Sequence, residues 1–464
     1  MEEALLGIVT TINNYLSNYI LIILLLGMGI WFTVRTKAIQ FRCFGEGWRR
    51  VFGNFSLRGG NQGGGMTSFQ ALSTAIAAQV GTGNIVGACG AIIVGGPGAI
   101  FWMWIIALLG MATNYAEAVM AQKTRVVDED GTVHGGPVYY ITTAFKGNGG
   151  KFLAGFFAVA IILALGFMGC MVQSNSIAET MNTAFGIPTW VMGLIVVILA
   201  GTVFIGGVSR LAAVTEKIVP IMAVVYVLTV LVLIVLNITR IPWFFYAVFT
   251  QAFRPEAVFG GAFGIALVQG VKRGLMSNEA GQGTITMPAA ASDAKHPCDQ
   301  GCVQALGVFL DTIVICTLTG FVVIMGRVWL TDAADAWFKL DKLPKFLASC
   351  AELTPGTALN GAVTFLVTLC FGLFAFTCLV GFLSFSEICA NRISRSRAWI
   401  TIVHLLCLVV IAFGVVTSIA GLDLGSLWNM SDFANIVIAY CNIPLLYIGF
   451  KYVKRATRHF DLGD

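Results

Sequence analysis

Apolar stretches long enough to cross a bilayer recur along the whole chain, and they restrict it to one class of fold. A helix needs about 20 predominantly apolar residues to span a hydrocarbon core of about 30 Å. Only 11% of the 464 residues are charged, whereas soluble domains carry about 25%. We predict an all-α polytopic membrane protein with about eleven transmembrane helices. The predicted spans are 17–34, 66–94, 97–122, 152–182, 187–206, 211–236, 257–287, 301–330, 358–389, 398–420 and 427–450.

The basic residues are distributed unevenly between the two sets of loops that these spans create. Loops on one side hold 20 of the 28 Lys and Arg residues, and Lys272 and Arg273 fall within a span. The other six are Arg240, Arg254, Arg327, Lys339, Lys342 and Lys345. Cytoplasmic loops carry the excess of Lys and Arg, so we predict an outside N-terminus and a cytoplasmic tail, 451–464. The net charge of +5 therefore indicates orientation and not nucleic-acid binding.

The chain start and the cysteines are also those of an integral membrane protein. The acidic first three residues, Met-Glu-Glu, do not form the basic region of a signal peptide, so the first span is predicted to be retained. Most of the 12 cysteines lie in apolar stretches, where they act as small hydrophobes. His296, Cys298 and Cys302 share a loop, but their spacing matches no zinc pattern well.

The two longest outer loops, 237–256 and 331–357, carry aromatic residues beside charges. The aromatic residues are Trp243, Phe244, Phe245, Tyr246, Trp337 and Phe338. This composition favours interfacial amphipathic helices; the alternative is a lid over a binding site.

Two of the predicted spans are interrupted by glycine-rich polar runs. The second span is interrupted at 81–84 and the seventh at 274–283, each about 16–19 residues into its span. If the first helix (17–34) is set aside, the two interrupted spans are the first helices of two five-helix sets, 66–236 and 257–450. Because five is odd, the second set enters from the opposite face, which predicts an inverted repeat within one transporter domain. Paired interruptions of this kind indicate the binding site of a transporter.

A broken helix at membrane depth offers two kinds of ligand-binding group. Unpaired backbone groups are costly in hydrocarbon, and glycine permits the unwinding because it reaches conformations that other residues resist. The second half-helix begins with free N–H donors that suit a carboxylate. The first half-helix ends in free carbonyls that suit Na⁺ or an ammonium group. Two crossed broken helices can therefore hold both ends of an amino acid.

Several polar side chains fall within the predicted spans. A carboxylate such as Glu279 at membrane depth is a functional candidate by default. The alternatives for Glu279 are an ion pair with Lys272 or Arg273, or hydrogen bonds to the free N–H groups of the break. Glu117 and Asp311 are interpreted as polar contacts inside helices. Gln173, in the fourth span, is predicted to contact either the substrate or a neighbouring helix.

Five sequence motifs, taken together, resemble those of the alanine/glycine:cation symporter family. They run in family order over about 66–390. The motifs lie at 81–84, 95–104 with Gly110, 277–281, 307–312 and 374–377. The resemblance implies the fold of the bacterial leucine transporter with one extra N-terminal helix. It also implies uptake of alanine, glycine or a related amino acid coupled to Na⁺, or in some members to H⁺.

The resemblance also implies roles for individual residues. Thr82 and Gly83 match the unwound positions whose amides receive the substrate carboxylate, and Asn84 follows them. Ala77 and Val80 match positions that give carbonyls to Na⁺. The other residues assigned to the substrate or ion site are Gln173, Met276, Ser277, Thr377, Cys378 and Phe382, with Asn278 and Glu279 assigned structural or coupling roles.

The chain departs from the family pattern at two positions of the ninth span. Many members have Thr-Thr and a later Trp where this chain has Thr377, Cys378 and Phe382. A thiol is a poor Na⁺ ligand because hard cations prefer oxygen. Phe in place of Trp leaves more room, so the longer substrates serine and glutamine also remain candidates.

The sequence therefore predicts a secondary symporter for a small neutral amino acid in the bacterial cytoplasmic membrane. Its predicted partners are the amino acid, Na⁺ as the coupling ion, and membrane lipid, with no organic cofactor, nucleic acid or obligate protein partner. The alternatives are a proton-coupled symporter that uses Glu279, or an ion channel. A membrane-embedded enzyme is disfavoured because the spans hold no cluster of His, Asp and Glu at catalytic spacing.

Overall fold

The computed structural model describes residues 14–53, 66–127, 133–204, 207–254, 264–326, 336–337, 340, 342–419 and 424–462. These residues form helices, apart from one short antiparallel hairpin in which β1 (Val126–Val127) pairs with β2 (Val133–His134). The helices of the first half are α1 Leu16–Arg35, α2 Ile39–Arg42, α3 Phe44–Phe52, α4 Ser68–Gln79, α5 Gly83–Gly95, α6 Gly98–Thr124, α7 Pro137–Ala144, α8 Asn148–Phe185, α9 Thr189–Phe204 and α10 Gly207–Leu236. The helices of the second half are α11 Ile241–Ala252, α12 Ile265–Asn278, α13 Thr286–Ala291, α14 Pro297–Gly326, α15 Lys342–Leu353, α16 Thr357–Ile393, α17 Arg397–Ile419 and α18 Leu424–Leu462.

Eight helices of the described chain are long and apolar enough to cross a membrane. They are α1, α6, α8, α10, α14, α16, α17 and α18. The pair α4 and α5 meets the same test as one span bent by 55°, and α9 is a shorter apolar helix. The all-helical prediction is therefore confirmed, whereas the count of eleven spans and the inverted repeat stay predictions.

The first break separates α4 from α5 at the predicted position. Thr67 and Gln70 form a capping box that starts α4, which satisfies two orphan backbone donors. Helix α4 ends when Val80 turns to an extended conformation (φ −80°, ψ 92°). Helix α5 begins at Gly83 with a π-helical turn, so the unwound segment is 80–82.

The second break is shorter than the predicted interruption at 274–283. Helix α12 continues to Asn278, and Glu279 then takes a left-handed conformation (φ 55°). Gly281 and Gly283 follow with φ of 91° and 80°, a region that glycine enters at little cost. Gly274 is helical instead, and a Cβ there would lie 2.4 Å from Ile106 Cγ2. The start of the predicted span, 257–263, lies outside the described residues.

Close helix contacts surround the two breaks. A Cβ on Gly381 of α16 would lie 2.9 Å from the Cβ of Ala78 in α4, so these helices nearly touch. The extra N-terminal helix α1 packs on α6, where a Cβ on Gly29 would lie 2.5 Å from the Cβ of Leu109. Small residues allow this approach between membrane helices.

The two predicted outer-loop helices exist as α11 and α15. In α11, Phe244 is buried and stacks on Phe321 at 3.8 Å, while Tyr246 is 67% exposed. One face of α11 therefore packs on the bundle and the other is open, as expected for an interfacial helix. Trp337 is buried, and Phe338 lies outside the described residues.

Candidate functional site

One cavity lies where the two breaks face each other, and we call it the central cavity. Seven of its lining residues were assigned to the site from sequence: Thr82, Gly83, Gln173, Met276, Glu279, Cys378 and Phe382. The remaining lining residues are Ala78, Gln79, Gly81, Gly87, Gly169, Val172, Arg273, Gln282, Ser431 and Asn435. Residues from both breaks, α8, α16 and α18 thus share one wall.

The first break presents polar backbone and hydroxyl groups to the central cavity. The Thr82 N–H faces Gln173 Oε1 at 3.5 Å, the outer limit of a hydrogen bond. The Thr82 hydroxyl is buried and has no hydrogen-bond partner among the described residues. A Cβ on Gly83 would meet only Met276 O, at 3.9 Å, so the space beside Gly83 is open. The N–H and O–H groups here are available to an anionic ligand group.

A buried polar cluster behind the cavity joins the two breaks. Asn84 Nδ2 donates to Asp311 Oδ1 at 2.6 Å and to Ser277 Oγ at 3.0 Å. Ser277 Oγ and Thr312 Oγ1 donate to Asp311 Oδ2 at 2.5 and 2.7 Å. Asn278 Nδ2 donates to Thr312 Oγ1 at 3.3 Å. We refer to these five residues as the linking cluster.

The linking cluster adds contacts to three residues named from sequence. Asn84 and Ser277, predicted to bind substrate, hydrogen-bond Asp311 and are not among the residues that line the central cavity, so their substrate role stays a prediction. Asp311, interpreted as a polar contact in the interior of a helix, accepts hydrogen bonds from both broken spans. These side chains hold the breaks in place, because buried polar groups are costly unless they are paired.

Glu279 lines the central cavity, and of the alternatives considered for it, no ion pair with Lys272 or Arg273 is found among the described residues. Its Oε2 accepts a hydrogen bond from Thr284 Oγ1 within the second break. Lys272 instead donates to Asn18 Oδ1 of α1 at 3.2 Å. The nearest charged contact of Arg273 is Asp432 Oδ2, at 3.8 Å. The carboxylate therefore stays with the break and faces the cavity.

The residues assigned to Na⁺ lie beside the first break, but the hydroxyl among them is used within its own helix. Ala77 and Val80 are fully buried in α4 and its end. Thr377 Oγ1 donates to Leu373 O at 3.0 Å and to Phe374 O at 3.2 Å. A hydrogen bond from α16 to α4 is made by Cys378, whose thiol donates to Ala78 O at 3.0 Å.

Sequence reasoning missed several lining residues, chiefly Gln79, Arg273, Gln282, Ser431 and Asn435. Gln79 Oε1 and Asn435 Oδ1 are buried without a hydrogen-bond partner in the described part of the chain. Ser431 and Asn435 are four residues apart in α18 and thus share a helix face. That spacing was a usable signal, since polar pairs on one face of an apolar span point to a cavity.

The fold belongs to the class in which two broken helices surround a central cavity. A Na⁺-coupled sialic acid symporter of known structure shares this fold, with a TM-score of 0.55 at 12% identity, covering 94% of this chain and 85% of that one. This likeness agrees with the fold that the resemblance implied.

The chain itself belongs to the sodium:alanine symporter family, whose sequence model matches residues 2–462. The sodium/alanine symporter AgcS of Methanococcus maripaludis is 36% identical over 98% of this chain and 97% of its own length. YrbD of Bacillus subtilis, described as a sodium/proton-dependent alanine carrier, is 37% identical over 98% and 92%. GlnT of Bacillus subtilis, described as a sodium/glutamine symporter, is 35% identical over 99% and 91%. The prediction of the family is confirmed.

Proposed function

We propose that the protein takes up a small neutral amino acid by Na⁺-coupled symport with alternating access across the bacterial cytoplasmic membrane. The observation that carries this proposal is the central cavity, which is lined by both breaks together with α8 and α16. Two relatives of the chain are described as a sodium/alanine symporter and a sodium/glutamine symporter, which supports the same substrate class for this protein.

The substrate carboxylate binds at the first break. The Thr82 N–H and the space beside Gly83 face the cavity, and the start of α5 carries a partial positive charge. The ammonium group binds carbonyls at the end of α4, and the Glu279 carboxylate also lines the cavity. These two groups hold any α-amino acid, so the rest of the cavity wall must select the side chain.

One Na⁺ binds between the carbonyls of Ala77 and Val80 and the hydroxyl of Thr377. The close approach of α16 to α4 at Gly381 and Ala78 supports this position. The Thr377 hydroxyl donates its hydrogen to Leu373 O and Phe374 O, which leaves the oxygen lone pairs for the ion. Binding of Na⁺ then orders the same break that holds the substrate carboxylate, so each ligand favours the other.

The test is uptake into proteoliposomes that contain the purified protein. Labelled alanine, glycine, serine and glutamine are each offered with an inward Na⁺ gradient, with K⁺ in its place, and with an imposed proton gradient. We expect accumulation above the external concentration only with Na⁺. Equilibration without accumulation would instead support a channel.

The second candidate is proton-coupled symport through Glu279. It is favoured by one observation, a buried carboxylate in the wall of the central cavity. Uptake that follows the proton gradient and ignores Na⁺ would support it. In that case Glu279→Gln should abolish accumulation and leave exchange of internal for external substrate intact.

A further inference from the structure

The second break is tied to the surrounding helices by two buried side chains. The Gly283 N–H donates to Glu117 Oε1 of α6 at 3.0 Å. Asn442 Nδ2 of α18 donates to the same Glu117 oxygen at 2.6 Å and to Gly281 O at 2.9 Å. Tyr140 OH donates to Asn442 Oδ1. Glu117, interpreted from sequence as a polar contact in the interior of a helix, is therefore a fixed point for the unwound segment.

The hydrogen bonds of Glu117 and Asn442 with the second break determine the direction of Gln282, which lies between Gly281 and Gly283. Gly281 and Gly283 both have positive φ, and both are held by Glu117 and Asn442. A Cβ on Gly283 would lie 2.5 Å from Pro137 Cγ, so the segment is also packed tightly on the side away from the cavity. Gln282, between them, lines the central cavity.

The amide of Gln282 is available to a ligand. The residue is only 1% exposed and lines the central cavity, and the side-chain hydrogen bonds found among the described residues around the second break involve Thr284, Glu117 and Asn442. A side-chain amide can both donate and accept hydrogen bonds. A bound substrate with a donor or an acceptor can therefore pair with it.

We propose that Gln282 hydrogen-bonds the side chain of the substrate, and that Glu117 and Asn442 are the positioning residues that aim it. This inference rests on the proposed function and narrows its substrate class. The preferred substrates are neutral amino acids with a hydroxyl or amide side chain, such as serine and glutamine, over alanine. A cavity with a buried polar group discriminates strongly against a ligand that leaves this group unpaired.

The test compares two substrates of the same variant, so the measured ratio does not depend on how much transporter is expressed. The ratio of kcat/KM for serine or glutamine to that for alanine is measured in proteoliposomes. Gln282→Leu keeps the size of the side chain and removes its hydrogen bonds, and we expect the ratio to fall at least tenfold. Gln251→Leu makes the same change outside the central cavity and should leave the ratio as in the wild type. An unchanged ratio in Gln282→Leu overturns the proposal.

The positioning role is tested at Glu117 with two variants. Glu117→Gln keeps an oxygen that accepts from the Gly283 N–H, so the ratio should stay within about twofold of wild type. Glu117→Ala releases Gly283, and the ratio should fall toward that of Gln282→Leu. If both variants only reduce the amount of folded transporter and leave the ratio unchanged, the positioning role is wrong. If the wild type accumulates no neutral amino acid at all, the proposed function itself fails.

Discussion

At the scale of single residues, the space at the first break exists because Gly83 has no side chain. Gly83 leaves open space beside the cavity, bounded only by Met276 O at 3.9 Å. We expect Gly83→Val to reduce amino-acid uptake more than a hundredfold, because its two methyl groups would occupy the place of the substrate carboxylate. The amount of protein in the membrane should stay near that of the wild type.

The matched control for Gly83→Val is Gly90→Ala, later in α5. A Cβ on Gly90 has no neighbour within 4 Å, so this variant should transport normally. Uptake is measured with labelled alanine and serine, and membrane abundance by immunoblot. Near-normal uptake by Gly83→Val would contradict the assignment of the first break to the substrate.

A second prediction at this scale concerns the coupling ion. Thr377→Ala removes one oxygen ligand, so the Na⁺ concentration for half-maximal uptake should rise, because hard cations bind through oxygen. Substrate KM at saturating Na⁺ should change far less. Thr377→Ser should restore much of the loss, and Cys378→Thr should lower the Na⁺ requirement by adding a hydroxyl. Equal changes in both constants would contradict a separate ion site.

The residues of the central cavity were predictable from sequence to different extents. Thr82 and Gly83 were found because a glycine run interrupts an apolar span, and Gln173 because it is polar within one. The direction of the Asn84 side chain was not predictable, because a single step along a helix turns a side chain to another face. Gln282 was missed because its direction depends on Glu117, far away in sequence, and no local pattern contains that information.

At the scale of elements, the linking cluster makes the two broken spans depend on each other. Asp311→Ala leaves Asn84, Ser277 and Thr312 without their shared acceptor. We expect a loss of about 2–4 kcal/mol in stability, the usual result when several partners of a buried group are left unpaired. Thermal unfolding of the purified protein in detergent measures this change.

The control for Asp311→Ala is Glu387→Gln in α16, which also alters a largely buried carboxylate but lies away from the linking cluster. Its ion-pair partner among the described residues is His404, at 3.8 Å, which is beyond hydrogen-bond distance, so the loss of stability should be smaller than for Asp311→Ala. A similar melting temperature for Asp311→Ala and wild type would mean that the cluster does not stabilise the breaks.

The elements themselves were largely predictable, since length and hydropathy define most helices of a membrane protein. The second break shows the limit of this reasoning. Gly274 lies in the glycine-rich run but stays helical because it packs against Ile106. Gly281 and Gly283 unwind because their N–H and C=O groups find partners in Glu117 and Asn442. The same residue type serves both purposes, and only tertiary contacts distinguish them.

At the scale of the whole molecule, the charge distribution predicts an outside N-terminus. Ser396, between α16 and α17, and Thr250, in α11, are both exposed and lie on opposite sides in this prediction. We expect a cysteine at position 250 to react with a membrane-impermeant maleimide in intact cells. A cysteine at 396 should react only after the membrane is opened. The reverse labelling pattern would show that the N-terminus is cytoplasmic and that the predicted orientation is wrong.

The linking cluster also joins helices into a group. It fastens the two broken spans to each other, while Ser174 and Asn175 of α8 are fastened to α17 by bonds of 3.0 and 3.1 Å to Ile411 O and Gly414 O. The central cavity lies between these two groups, since Thr82 belongs to the first and Gln173, in α8, to the second. A ligand that contacts both residues would act as a cross-link between the two groups.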